Sequence, residues 1–338
     1  MMIKTAAYPT RVFSTLSYVL VFQSLMSSAG AAVLAYDGFD VTKYRADGGY
    51  ADPSAGPSNA LIWDADTTPG GSVGQNPAMH GFVNNQWTPD GTNMGAHVYG
   101  RLENTQASYT GLSTSFGQLN MFRSSGSGGN KSYYRELSVG PSTQYPSTIY
   151  IAALVQRTSE TTLSLSFTST NGSDVRPFNL QILGSDGTYS DGTLRMAGVQ
   201  STGGSAEAFG DGLITPDTMH LLVFKIENSV LNSGSTSNGD QISLYLNPDL
   251  SSEAANSAAL TMGNAETNFF VAGNSSWTLG GLQIESNLAL NGQSVIFDEF
   301  RIATTWEDMV NAANLVPEPS TTALSFLLGL PLVLRRRR

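Results

Sequence analysis

Apolar and polar residues alternate along several short segments in the middle of the chain. In the segment 161–170 the apolar residues are Leu163, Leu165 and Phe167, and serines or threonines separate them. Because successive side chains of a β-strand point to opposite faces, this pattern predicts a strand that is buried on one face only. Two further segments have the same pattern, with the apolar residues Phe178, Leu180 and Ile182 in one and Ile242, Leu244 and Leu246 in the other.

Two denser apolar runs, TIYIAALVQ from Thr148 and HLLVFKIE from His220, predict central strands that are covered on both faces. Asp-Gly pairs begin at positions 90, 186, 191 and 211 and Asn-Gly pairs at 171, 238 and 291, and such pairs favour tight turns. Many short strands separated by turns, with little amphipathic helix, predict one all-β domain, an antiparallel β-sandwich or jelly roll over residues 32–313. The stretch 47–92 is rich in Gly, Pro, Asn and Asp and predicts long loops at one end of it.

The amino-acid composition supports a folded domain and excludes cysteine chemistry. The chain has 338 residues, of which 40% are hydrophobic and 13% charged, enough apolar content for a core of its own. It contains no cysteine. Disulfides, thiolate metal ligands and cysteine nucleophiles are therefore excluded.

The first 31 residues predict a secretory signal peptide. Lys4 and Arg11 precede an apolar stretch from Val12 to Met26, and small residues follow at Ala29 and Ala31. A basic region, an apolar region and a small-residue cleavage site occur in this order in exported proteins. We expect signal peptidase to cut after Ala31 or Ala32.

The body between the two ends is acidic. Residues 32–317 contain 11 Lys or Arg and 26 Asp or Glu, a net charge of −15. Such a charge repels nucleic acid and anionic lipid, so neither is expected as a partner.

The last residues, 314–338, combine three features. Pro317, Glu318 and Pro319 are followed by an apolar stretch, 320–334, and then by four arginines, Arg335, Arg336, Arg337 and Arg338. As a transmembrane helix, 15 residues at ~1.5 Å each reach about 22 Å, short of the ~30 Å hydrocarbon core of a bilayer. The arginines favour the cytoplasmic side, so we expect a short helix that holds the exported body at the inner membrane as an intermediate.

This order of features resembles the PEP-CTERM sorting signal. The resemblance implies recognition and processing by exosortase, a membrane enzyme of Gram-negative bacteria that make exopolysaccharide. It also implies a final location at the cell surface or in the extracellular matrix.

Three segments of the body resemble strands of concanavalin A-like, laminin G-like jelly rolls: LAYDGFD from Leu34, ISLYLNPDL from Ile242 and VIFDEFRIATTWEDMV from Val295. The resemblance implies that the first and last strands pair, which removes two open sheet edges. In the last strand we predict that Ile296, Phe300 and Ile302 share one face and Phe297, Glu299 and Arg301 the other. Trp306 is expected to pack against this strand.

Lectins and glucanases share that fold, so the fold is compatible with either sugar binding or catalysis. The glucanase pattern Glu-x-Asp-x-x-Glu is absent from the chain. Asp298 and Glu299 are adjacent and predict structural roles, with Glu299 pairing with Arg301 and Asp298 accepting turn or backbone hydrogen bonds. His80, His97 and His220 lie in no catalytic or metal-binding motif.

Two candidate ligand sites remain. Trp87, with Asn84, Asn85 and Asp90 beside it, has the aromatic and polar groups that bind sugars, although ordinary loops share this composition. Calcium prefers carboxylate and carbonyl oxygens, which two segments offer through Asp64 with Asp66 and Asp186 with Asp191, yet Asp before Gly is also ordinary turn chemistry.

The sequence therefore predicts an exported, non-catalytic protein that associates with extracellular polysaccharide or another surface. Two alternatives stay open. One is a secreted glycan hydrolase or lyase of the same fold, and the other is a structural matrix protein without a ligand.

Overall fold

The computed structural model describes the residues of the strands, their connections and one helix. These are residues 33–39, 61–63, 81–82, 88–89, 98–103, 105–115, 117–123, 129–138, 147–168, 178–185, 187–199, 205–228, 240–263, 280–288 and 290–315. The chain divides into two units, Met1–Ala31 and Ala32–Arg338, and all of these residues belong to the second. The predicted signal peptide lies outside the described residues.

Within this part of the chain, nine strands form a first antiparallel sheet. In spatial order they are β14 (Leu260–Met262), β13 (Asp240–Leu246), β12 (His220–Asn228), β7 (Thr148–Arg157), β16 (Ser294–Ala303), β5 (Gln118–Arg123), β4 (Val98–Glu103) and β2 (Leu61–Trp63), with β1 (Val33–Asp37) also paired to β16.

Seven described strands form the second antiparallel sheet. Their spatial order is β11 (Ser205–Gly210), β10 (Thr193–Val199), β9 (Phe178–Leu183), β8 (Thr162–Thr168), β15 (Gly281–Leu288), β6 (Gly129–Glu136) and β3 (Thr88–Pro89). The predicted antiparallel β-sandwich is therefore confirmed.

The main core lies between the two sheets and contains the predicted apolar faces. The alternating residues of β8 and β9 are buried in it, as are Ile242 and Leu244 of β13, while Leu246 packs against it partly buried. The two predicted central strands, β7 and β12, are confirmed, because each contributes to this core with one face and to a second apolar cluster with the other.

The second cluster lies on the outer side of the first sheet. A helix, α1 (Trp306–Leu315), covers this side, and Trp306 packs edge-on against Tyr150 of β7 and Tyr245 of β13, with ring centroids 5.9 Å and 5.8 Å away. Trp306 was expected to pack against the closing strand, but the rings that it contacts belong to β7 and β13. It shares the second cluster with Ala303, the last residue of the closing strand.

The helix was not predicted, and the sequence contains a signal for it. Thr305 accepts a hydrogen bond from the backbone N–H of Asp308 through its hydroxyl (3.1 Å) and donates one to the Asp308 carboxylate (2.8 Å). A threonine followed three residues later by an acidic residue, ahead of an apolar run, is a helix-capping arrangement.

The first and last strands pair as predicted, with Val33 opposite Ala303 and Asp37 opposite Phe300. The predicted face of β16 was wrong for Ile296 and Phe297. A β-bulge places Glu299 and Phe300 opposite a single residue of β7, and Glu299 has a φ of 53°. A bulge changes which side chains share a face. Phe297 therefore joins Phe300 in the core, whereas Ile296 is only half-buried.

Among the described residues, no helix combines the length and the apolar character that a membrane crossing requires. The predicted span 320–334 lies outside them. Within the stretch 47–92, which was predicted to form loops, β2, β3 and the pairing of Phe82 with Leu137 are described.

The Asp-Gly turns at 191–192 and 211–212 allow a matched stability test, since both glycines have positive φ, 85° and 61°. A Cβ on Gly192 would lie 2.0 Å from the carbonyl oxygen of Ile214, whereas one on Gly212 would meet nothing within 4 Å. We expect Gly212→Ala to lower the free energy of unfolding by about 1–2 kcal/mol, the cost of left-handed backbone. Gly192→Ala should cost more because backbone must move. Equal losses in urea unfolding would contradict this account.

Candidate functional site

The outer face of the second sheet is built by the polar half of the alternating pattern. In β8, Leu163, Leu165 and Phe167 enter the core, so Ser164 and Ser166 point the other way. The same alternation in β9 turns Asn179 and Gln181 outward. The strands that face the core with apolar residues thus line the opposite face with hydroxyl and amide groups.

Backbone pairing aligns these outward side chains into two rows that cross the sheet. One row follows the strand order with Phe209, Arg195, Gln181, Ser164, Glu285 and Ser132. The next row contains Glu207, Ala197, Asn179, Ser166, Gln283 and Tyr134.

Hydrogen bonds hold the side chains of these rows in place. Ser164 donates to the Asn179 amide oxygen (2.7 Å), and Gln283 Nε2 donates to the hydroxyl of Ser132 (2.5 Å). The ring of Tyr134 lies over Gly281, where a Cβ would be only 2.2 Å from the ring. We call this side of the second sheet the polar face. Ser164, Ser166 and Gln283 at its centre are buried, whereas Tyr134 is half-buried and the β11 edge is exposed.

An aromatic and charged group lies at the β11 edge of the polar face. Phe209 is 44% exposed and stacks on Tyr189 of the β9–β10 connection, with ring centroids 5.6 Å apart and planes 11° from parallel. The Arg195 guanidinium lies 5.8 Å from the Phe209 centroid, and it donates to Glu207 Oε1 (2.6 Å) and to Gln181 Oε1 (2.8 Å).

α1 covers part of the outer side of the first sheet, over β1, β7 and β16. Beneath α1, the Tyr150 and Tyr245 hydroxyls donate to Glu253, and Lys225 Nζ lies 2.8 Å from the same carboxylate. Burial opposes ionisation of Glu253, but the hydrogen bonds from Lys225 and Tyr150 outweigh it and lower its pKa. The polar groups of this network bond to one another, and they lie on the outer side of the sheet.

Asp298 and Glu299 are fully buried, as structural residues would be. The predicted pair of Glu299 with Arg301 is confirmed at 2.7 Å, and Asp298 accepts a hydrogen bond from the Glu299 backbone N–H at 2.8 Å. Arg301 also donates to the carbonyl oxygens of Met309 and Val310.

The described glutamates on the polar face are widely spaced along the backbone of the sheet. A glycosidase pair of carboxylates needs separations of about 5–9.5 Å. Glu207 and Glu285 lie on strands four positions apart, about 19 Å at ~4.8 Å per strand. Glu136 faces Gly281, four residues along β15 from Glu285, or roughly 13 Å.

His220 begins β12, as predicted, and its imidazole is held by the fold. Its Nδ1 lies 2.9 Å from the Asn247 amide nitrogen and its Nε2 3.2 Å from the Thr215 carbonyl oxygen. Burial lowers its pKa. Both ring nitrogens are therefore used in packing the start of the strand. His80 and His97 lie outside the described residues.

Most of the predicted ligand residues also fall outside the described residues, and their roles stay predictions. They are Asn84, Asn85, Trp87 and Asp90 for sugar, and Asp64, Asp66 and Asp186 for calcium. The sorting motif, from Pro317 to Arg338, lies outside them as well.

Asp191 is the one predicted calcium ligand in the described part of the chain. Its carboxylate lies 2.7 Å from the buried guanidinium of Arg157 and accepts a hydrogen bond from the Glu160 backbone N–H. Nowhere in the described ranges do three or more His, Asp or Glu side chains gather as a metal site would require. Calcium binding by Asp191 stays a prediction.

The polar face was not predicted from the sequence, although one signal was present. In the segment SAEAFG of β11, Phe209 falls on the polar side of the alternation together with Glu207, while Ala206 and Ala208 pack toward the core. Single exposed apolar residues are common on protein surfaces, so this signal alone did not identify the polar face.

No family model matches the chain, and no curated protein matches it. Among solved structures, it is similar to the botulinum neurotoxin serotype D binding domain (TM-score 0.36, 9% identity, 64% of this chain and 45% of that chain). It is also similar to the VIP36 exoplasmic/lumenal domain in its Ca2+/Man3GlcNAc-bound form (TM-score 0.35, 6% identity, 66% and 89%) and to the marine PL-14 alginate lyase from Aplysia kurodai (TM-score 0.34, 15% identity, 61% and 90%).

The matched region thus spans less than half of the toxin binding domain. None of these proteins is close enough for its function to be transferred to this chain.

Asp298 should make stability depend on pH. Burial and then the neighbouring charge of Glu299 raise its pKa well above the ordinary range, while Asp37 adds to the effect and Arg301 opposes it. Between the ordinary value of about 4 and the raised value, the folded state holds a proton that the unfolded state releases, so stability falls as pH rises through this window.

We expect Asp298→Asn to remove this part of the pH dependence when free energies of unfolding are measured across that window. Glu307→Gln, at an exposed position of α1, serves as the control and should leave the slope unchanged. A slope in Asp298→Asn that equals the wild-type slope would refute the assignment.

Proposed function

We propose that the chain is an exported concanavalin A-like jelly-roll protein that associates with extracellular polysaccharide without cleaving it. The polar face is its binding surface. A PEP-CTERM signal at the carboxyl end directs it through exosortase to the cell surface or matrix.

The observation that carries the binding proposal is the pair of polar rows across the second sheet. Both rows run over the six strands from β11 to β6, about 24 Å at ~4.8 Å spacing. Ser164, Ser166 and Gln283 in the middle of the rows are buried, so a ligand reaches the two ends, and one that uses both must be an extended polymer. Amide, hydroxyl and carboxylate groups match the hydroxyls of a sugar, and Tyr134 and Phe209 offer rings for its apolar faces. The outer side of the first sheet, by contrast, is covered by α1.

The wide backbone spacing of Glu136, Glu207 and Glu285 on the polar face favours binding over hydrolysis by a carboxylate pair. The alternative of a glycan hydrolase or lyase predicts soluble product, whereas a binding protein only retains the polymer.

Incubation of the purified protein with a panel of insoluble polysaccharides tests this proposal. We expect retention on at least one polymer, with no new reducing ends or unsaturated products in the supernatant. Release of product would favour the enzyme alternative, and absence of retention on every polymer would favour the ligand-free matrix protein.

The sorting proposal has a separate test in the native host. We expect replacement of Arg335, Arg336, Arg337 and Arg338 by alanine to block maturation and leave the protein at the inner membrane, because the basic cluster holds the tail on the cytoplasmic side. The processed form and its location are followed by immunoblotting of cell fractions. Unaltered processing and surface location would contradict a role for the tail in sorting.

A further inference from the structure

The Tyr189–Phe209 pair, which we call the aromatic platform, is an unusual feature of the polar face. Phe209 and Leu290 are the large apolar side chains that are exposed in the described part of the chain. Leu290 lies at the turn between β15 and β16, whereas Phe209 lies on a strand among polar side chains. A phenyl ring held in water by a second ring presents flat apolar surface without loss of rotamer freedom on binding.

Charge around the aromatic platform is balanced within the protein. Arg195 gives one terminal nitrogen to Glu207 and the other to Gln181, at 2.6 Å and 2.8 Å. The side chains of Arg195 and Glu207 are 31% and 39% exposed, so the pair borders the platform at the surface. The guanidinium therefore carries a partner already, and the chain as a whole has a net charge of −10. Both facts disfavour an anionic ligand.

Two hydrogen-bonding atoms beside the aromatic platform remain for a ligand. Arg195 uses only Oε1 of Glu207 and Oε1 of Gln181. Within the residues that the structure describes, Glu207 Oε2 and Gln181 Nε2 have no hydrogen-bond partner. One accepts and the other donates, and together they suit neighbouring hydroxyls of a sugar ring.

We propose that the aromatic platform, with Gln181 and Glu207, is a subsite for a neutral pyranose unit of a polysaccharide. The C–H face of the sugar stacks on Phe209, Glu207 accepts a hydrogen bond from one hydroxyl, and Gln181 donates to another. This inference rests on the proposed polysaccharide association and adds the subsite and the class of polymer.

Retention of the purified full chain is measured on three insoluble polymers: a neutral hexose polymer, a polyuronate and a cationic glucosamine polymer. Wild type should prefer the neutral polymer, with little dependence on salt because no charge pair forms with the ligand. Phe209→Ala should weaken retention roughly tenfold, or about 1.4 kcal/mol. Phe209→Trp should preserve retention, because it keeps an aromatic face. Leu290→Ala is the matched control and should behave as wild type.

Glu207→Gln provides an independent measurement. It removes the carboxylate that neutralises Arg195, so it should create salt-sensitive retention on the polyuronate that wild type lacks. The free energies of unfolding of the Phe209, Leu290 and Glu207 variants should stay within about 0.5 kcal/mol of wild type, since these side chains are at the surface.

The outcomes separate the two proposals. If wild type binds none of the polymers, both proposals fail. If wild type binds and Phe209→Ala binds equally well, the subsite is overturned while polysaccharide association stands. Wild-type preference for the polyuronate or the cationic polymer overturns the neutral class. Self-association of wild type in sedimentation that Phe209→Ala abolishes would overturn the subsite by assigning the ring to a second copy of the chain.

Discussion

The buried ion pair of Arg301 and Glu299 is the interaction on which the closing part of the sandwich depends. Both side chains are inaccessible to solvent, and each uses its remaining atoms on a different segment. Arg301 donates to Met309 and Val310 of α1 and to the Ser113 carbonyl, while Glu299 accepts from the backbone N–H of Ser115 and the hydroxyl of Tyr36 in β1. A buried charge is tolerated only when its partners are present, so the first strand, the loop before β5 and the final helix are tied to β16 together.

This arrangement also explains why the two outer faces differ. The β-bulge at Glu299 directs the ion pair away from the core and under α1, and the helix then covers the first sheet with Trp306 and its tyrosine contacts. On the second sheet Ser164, Ser166 and Gln283 in the middle of the polar rows are buried, and the rows reach the surface at the β11 edge, where Glu207 and Phe209 are exposed.

Much of the fold could be predicted because it depends on local pattern. Alternation placed Leu163, Leu165 and Phe167 in the core, and the unbroken runs of β7 and β12 indicated cover on both faces. The glycines of four of these predicted turns, Gly187, Gly192, Gly212 and Gly292, have positive φ as tight turns require. The bulge in β16 could not be predicted, because one extra residue moves Phe297 into the core without any change in the composition of the strand.

The candidate site, unlike the strands and turns, could not be predicted from local sequence patterns. The sequence by itself determined the strands, the turns and the polarity of each strand face, since these follow from side-chain alternation and backbone preference over a few neighbouring residues. Only the tertiary structure decided which polar faces meet. Residues as distant as Ser132, Gln181 and Glu285 share one row because β6, β9 and β15 are brought into one sheet by burial of their opposite faces. The stacking of Tyr189 on Phe209 likewise depends on the connection between β9 and β10 folding over β11, a contact that no local pattern specifies.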